Sequence, residues 1–143
     1  MIDAKLFLCA DSAAIDVRMN AMSAFHILEQ LNVPSFPVAI PRISVLASLT
    51  RENSDPSNIQ VQLQIEIAGQ QLFAGPMPFN FMQQLSARSI LDMQGLLVTS
   101  PGNLIFTMSH EGRSLASWTI QVHQVGRTPV QMYIPGVQSR TPN

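Results

Sequence analysis

The sequence predicts an all-β protein, a two-layer and mostly antiparallel β-sandwich of about seven to nine strands with at most one short helix. Two observations carry that prediction. In NIQVQLQIEIAG (58–69), Ile59, Val61, Leu63, Ile65 and Ile67 occupy every second position, with Gln60, Gln62, Gln64 and Glu66 between them. In NLIFTMSHEGRSLASWTIQVHQV (103–125), two alternating runs flank a Gly-containing turn. A period of two places one set of side chains on each face of a strand. Fixing such a strand costs about 1–2 kcal/mol per residue in backbone entropy, and burying each aliphatic returns about 1.5–3 kcal/mol. One strand therefore roughly breaks even, and needs sheet neighbours and a second layer over its apolar face.

The elements follow in chain order. Cys9 sits in the apolar run LFLCA and is expected to be a small buried hydrophobe. The segment SAAIDVRMNAMSAFHILEQLN (12–32) is Ala-rich, has Ser12 as a possible cap, and carries Ile15, Met19, Met22 and Phe25 at helical spacing. Its periodicity alone favours a helix. PSFP (34–37) is a rigid lead into PRISVLASLTR (41–51), a strand rich in β-branched and aliphatic residues. ENSDPSN (52–58) is a turn-rich connection to the 58–67 strand, and Gly69 marks a tight turn before Leu72 and Phe73 resume. Pro76 and Pro78 in GPMPF lack ladder donors, so this stretch is an edge or a crossing between sheets. SILDMQGLLV (89–98) reads as one strand ended by Ser100-Pro101-Gly102. The closing hairpin turns at His110-Glu111-Gly112, and the alternation directs Trp118, Ile120 and Val122 inward. From Thr128 the chain has three prolines and no sustained period, which predicts a sandwich domain over 1–127 and an extended arm over 128–143.

Only 12% of the 143 residues are Asp, Glu, Lys or Arg, about half the usual fraction, so polar surface must come from Gln, Ser, Asn and Thr. A net charge of −1 gives no electrostatic reason to expect nucleic acid or an anionic membrane as partner, and little self-repulsion between copies. No run approaches the ~18 apolar residues of a membrane span. Asp3 and the shortness of the first apolar run do not fit a signal peptide. With a single cysteine the expected setting is a reducing one, and the expected location cytoplasmic.

Chemistry-bearing patterns are scarce. His26, His110 and His123 lie in different predicted elements, without the close ligand pairs that announce zinc, so no metal or cofactor is expected. There is no Gly-x-Ser-x-Gly elbow, and Ser109-His110 adjacency is not a catalytic geometry. Paired carboxylates on sandwich hydrolases are usually surrounded by sugar-stacking aromatics, whereas this chain has one Trp and one Tyr. The seven glycines are scattered at turns and form no phosphate loop. The eight methionines are expected to fill gaps in the core.

What stands out is the glutamine row. Neutral amides cost less to desolvate than charges, and charged residues are depleted at interface centres. Gln60, Gln62, Gln64 and Glu66 are therefore the candidate interface for another protein chain or a second copy of this one. The expected function is a non-catalytic interaction or assembly domain. The alternative is a small-ligand or carbohydrate-binding module using loops at one end, such as ENSDPSN or the SHEG tip.

The ordering KLFLCADSA, MNAMSAFHIL, NVPSFPVAIPRISVLASL, then QLQIEIAGQQLF and GLLVTSPGNLIFTMSHEGRSLASWTIQV, resembles an uncharacterised bacterial family of small immunoglobulin-like β-sandwich domains, a domain of unknown function. The resemblance covers most of residues 5–123. It implies an Ig-like sandwich with a strand across MNAMSAFHIL, and it supplies no activity and no catalytic residues.

Overall fold

A computed structural model describes residues 1–125, which form eleven strands and no helix. They are β1 (Asp3–Asp16), β2 (Ala21–Ile27), β3 (Gln30–Val33), β4 (Val38–Ile40), β5 (Ile43–Thr50), β6 (Asn58–Ile67), β7 (Gln70–Asn80), β8 (Ser86–Met93), β9 (Leu96–Val98), β10 (Gly102–His110) and β11 (Arg113–Gln124). One sheet has the order β2-β1-β5-β8, a second β3-β11-β10-β6-β7, and β4 pairs with β9 as a small third sheet. Every pairing is antiparallel except β11 with β3. The expected arm over 128–143 lies outside the described residues.

The core lies between the two larger sheets. From one side come Phe7, Cys9, Val45, Ala47 and Leu49; from the other come the five aliphatics of β6 with Leu104, Phe106, Met108, Ile120 and Val122. The alternation in β6 is realised without a break, its odd-numbered residues buried and its even-numbered residues exposed. A one-residue slip would turn all five aliphatics to solvent, so the register is held by burial. Both long hairpins close on two-residue turns in which each central residue has positive φ. These are Ala68-Gly69 (50° and 79°) and Glu111-Gly112 (50° and 80°), the twist-matched type I′ geometry for which glycine is favoured.

The count exceeds the expected seven to nine because three strands are very short and one expected strand is split. SILDMQGLLV breaks at Gln94-Gly95, where Gly95 takes φ 72°, so that β8 stays with β5 and β9 leaves to pair with β4. GPMPF resolves as an edge: Pro76 and Pro78 face Gln62 and Gln60 across the ladder, and β7 closes the five-stranded sheet. Trp118 is partly buried against the core, its Nε1–H donating to the Leu28 carbonyl at 2.8 Å. Methionine is only partly a core filler. Met77 and Met108 are buried, whereas Met19 and Met82 are exposed.

The segment with helical spacing is a hairpin. Asp16 Oδ1 accepts from the backbone N–H of Arg18 at 2.9 Å and of Met19 at 3.3 Å, and Asn20 takes φ 53°. Short polar side chains that bond their own backbone favour a turn over a continuing helix. β1 pairs with β5 through residues 3–10 and with β2 through 10–16. Arg88, on the opposite edge strand β8, donates to the carbonyl and the Oδ1 of Asn20 at 3.0 and 2.5 Å. The hairpin tip thus reaches across β5, and the hairpin covers the face of its own sheet that points away from the core. This explains why β5 is buried on both sides: Ser44, Leu46 and Ser48 point outward yet are enclosed, Leu46 at 1% exposure. Ser44 is satisfied by donating its hydroxyl to Asp92 Oδ1 at 2.5 Å.

Candidate functional site

Gln60, Gln62, Gln64 and Glu66 all lie exposed on the outward face of β6, one strand in from the β7 edge. The register extends their row across the sheet. Gln62, Gln64 and Glu66 face Ser109, Thr107 and Ile105 of β10, and the last two of these face Ser117 and Thr119 of β11. Over the outward positions 60–66, 103–109 and 117–123 there is one carboxylate, Glu66, one imidazole, His123, and neither Lys nor Arg. Side-chain bonding within the face is weak, as in the 3.4 Å contact from Gln64 Nε2 to Gln71 Oε1. The amides are left to bond elsewhere.

A second feature was only half legible in the sequence. The 52–58 connection and the 110–113 turn meet at one end of the sandwich, around a cavity of about 610 Å³ lined by Asp55, Asn58, Gln60, His110, Glu111 and Arg113 together with the first residues of the chain. Arg51 fixes the connection. Its guanidinium donates to the carbonyls of Gln84 at 2.8 Å and Asp55 at 3.0 Å while lying 5.3 Å from the Phe81 ring centroid. Asp55 Oδ2 in turn accepts from the Glu52 N–H at 2.8 Å. The N-terminal amine, 2.7 Å from Asp55, and that backbone bond hold the Asp55 carboxyl below the usual range. Arg113 donates to the Ile2 carbonyl and lies 3.8 Å from Asp3, while His110 is 3.9 Å from Glu111 and 3.4 Å from the Gln60 carbonyl. Arg113 had no sequence signal as a site residue, because its partners lie more than a hundred positions away. The arrangement can offer donors and acceptors to a small polar molecule.

The other histidines do not join this group: His26 and His123 are exposed, on β2 and β11. Among the described residues, no three His, Cys, Asp or Glu side chains gather as a metal site requires. No helix among them is long and apolar enough to cross a membrane. Cys9 is fully enclosed, and burial pushes its thiol well above the usual range. A thiol-specific chromogenic disulfide should therefore register no reactive cysteine in the native protein and one after guanidinium unfolding. Prompt reaction of the folded chain would contradict the placement of β1.

Among the described residues, the fold and site define a β module of two large sheets and one small one, without helix, with a sheet face that carries a single carboxylate and a polar cavity at one end. Residues 5–123 match the family described as a family of unknown function (DUF6941), and the chain belongs to that family. A comparison with curated proteins finds no match.

Proposed function

We propose that this protein is a non-catalytic interaction or assembly domain, whose contact surface is the outward face of β6, β10 and β11. The observation that carries the reading is the absence of Lys and Arg, and the near absence of carboxylates, across that face. A flat array of amides and hydroxyls can hydrogen-bond across an interface without desolvating charges, which is the costly step in burying polar surface. The partner is another protein chain or a further copy of this one. An immunoglobulin-like scaffold suits the role, since it presents faces, edges and end loops from one rigid core. A buried, unreactive Cys9 is compatible with a reducing, cytoplasmic setting.

Gln62 lies at the centre of the row, so Gln62→Lys is the test. The substitution is expected to leave the melting temperature within about 2 °C of the parent, because exposed changes seldom exceed ~0.5 kcal/mol. It should lower the light-scattering mass of the assemblies the chain forms. An unchanged mass retires the sheet face as a contact surface.

The end cavity favours a second reading, a small-ligand module. Two loops and a strand converge there with Arg113, His110 and Asn58 directed at one space. A thermal-shift screen with glycans and charged metabolites is expected to raise the melting temperature for at least one class, and Arg113→Ala should abolish that rise. A flat response across the panel leaves this reading without support.

A further inference from the structure

The β1–β2 hairpin does not seal its sheet uniformly. Where Ile15 and Asn20 come down beside the 81–85 connection, a cavity of about 540 Å³ remains over the outward sheet face. Lys5, Ser48 and Arg88 line it from the sheet, and neither Asp nor Glu lines it. It shares no residue with the end cavity described above. The register sets these three residues in a row. Ser48 of β5 faces Arg88 of β8 on one side and Leu6 of β1 on the other. Lys5 is the extra residue of the bulge between Ala4 and Leu6, a device that re-aims a side chain. The two cations therefore stand two strands apart, roughly 10 Å between Cα atoms, with a hydroxyl between them.

We infer that this cavity binds a small amphiphilic anion, a carboxylate or phosphate carried on a short apolar chain. Ser48 points to a ligand independently of the charges. It is nine-tenths buried, at 9% exposure, and lines the cavity, yet its hydroxyl has no hydrogen bond among the described residues. Ser44, on the same face of β5, is satisfied by Asp92. Buried hydroxyls are seldom left unpaired. Lys5 is exposed and has no ion-pair or hydrogen-bond partner among the described residues. Arg88 is fixed by its two bonds to Asn20 and keeps further N–H donors for a ligand. An anionic oxygen held over Ser48 would accept from all three side chains, the charge-assisted pairing that Arg and Lys offer carboxylates and phosphates. A cation there would meet two like charges. The apolar chain has its own wall in Ile15 and Met82, which are 45% and 75% exposed. That wall is preformed. Asn80 Oδ1 accepts from the Met82 N–H at 2.9 Å, and the Gln84 N–H donates to the Phe81 carbonyl at 2.8 Å. A preformed wall lowers the ordering cost of binding.

The test titrates octyl phosphate and octanoate, each below its micelle concentration, into the full chain by calorimetry. At least one should bind one to one, with octylammonium and inorganic phosphate weaker by at least about tenfold. Lys5→Met should weaken the bound anion by at least about tenfold and leave the melting temperature of the free protein unchanged. Ser48→Ala should weaken it too, while the free protein melts no lower than the parent, because an unpaired hydroxyl is removed. A serine with a purely structural role would do the reverse. Arg113→Ala should leave the affinity unchanged, which separates this site from the end cavity. Absence of binding by both anions, equal affinity for octylammonium or inorganic phosphate, or parent-like binding by either Lys5→Met or Ser48→Ala would overturn the proposal. So would loss of binding in Arg113→Ala. Flotation on phosphatidylglycerol vesicles without binding of the soluble anions would assign the surface to a membrane, and overturns it equally. Should Lys5→Met lose its cooperative melt, Lys5→Gln provides the same measurement.

Discussion

Phe106→Ala is expected to lower stability by about 3–5 kcal/mol, a fall of roughly 10–15 °C in melting temperature. Phe106 is fully enclosed in β10, between Ile65 of β6 and Trp118 of β11 in the ladder, and it projects toward the opposite sheet. Truncation removes the transfer free energy of a ring and leaves a cavity whose walls are strands hydrogen-bonded on both sides, which cannot collapse far. Single domains hold only about 5–15 kcal/mol in all, so this change alone consumes a large fraction. Chemical denaturation with an unchanged slope would attribute the loss to the native state. A shift of under about 1 kcal/mol would mean that the two sheets do not share an interior at this point.

Leu46→Ala tests a different layer. On an open sheet face, flanked by Leu8 and Ile90 in the ladder, its truncation would cost well under the price of a core residue. Beneath the β1–β2 hairpin, at 1% exposure, it should cost about 2–4 kcal/mol. Asn20→Ala removes the side-chain half of the clamp to Arg88 and is expected to cost about 1 kcal/mol. Because both changes loosen the same cover, the double variant should fall short of additivity. A strictly additive pair with a mild Leu46 effect would place the hairpin away from the sheet.

How much of this could be read from the chain depends on the range of the interaction. Ile59 through Ile67 announce their two faces locally, because burial on one side imposes period two, and the structure reproduces that pattern residue by residue. The closing hairpin is equally local, since Glu111-Gly112 and the flanking alternation lie within a few residues of one another. The 12–32 segment defeats periodicity. Ile15, Met19, Met22 and Phe25 fit a helical stripe by spacing, yet Asp16 and Asn20 build a turn that divides them between two strands. Family resemblance, and not period, pointed to the strand. In β5 only Leu46, between the outward serines Ser44 and Ser48, carried a signal of burial on both faces, and which element supplied the second cover depends on an Arg88–Asn20 contact across 68 positions. For the candidate site, the glutamine row was visible as a pattern. Its extension into a face of amides and hydroxyls with one carboxylate, spanning three strands, required the register. The end cavity joins residues 50 and 111 positions apart, which no local pattern encodes.

The most direct measurement is a lysine scan from Ile59 to Ile67, with melting temperature and light-scattering mass recorded for every variant. Substitution at Ile59, Val61, Leu63, Ile65 or Ile67 should abolish the cooperative melt or lower it by tens of degrees, since a charge would enter a sealed interior. Substitution at Gln60, Gln62 or Gln64 should keep the melt and reduce the assembled mass. A scan in which stability falls evenly along the strand, with no alternation, would contradict two sheets closed over one core.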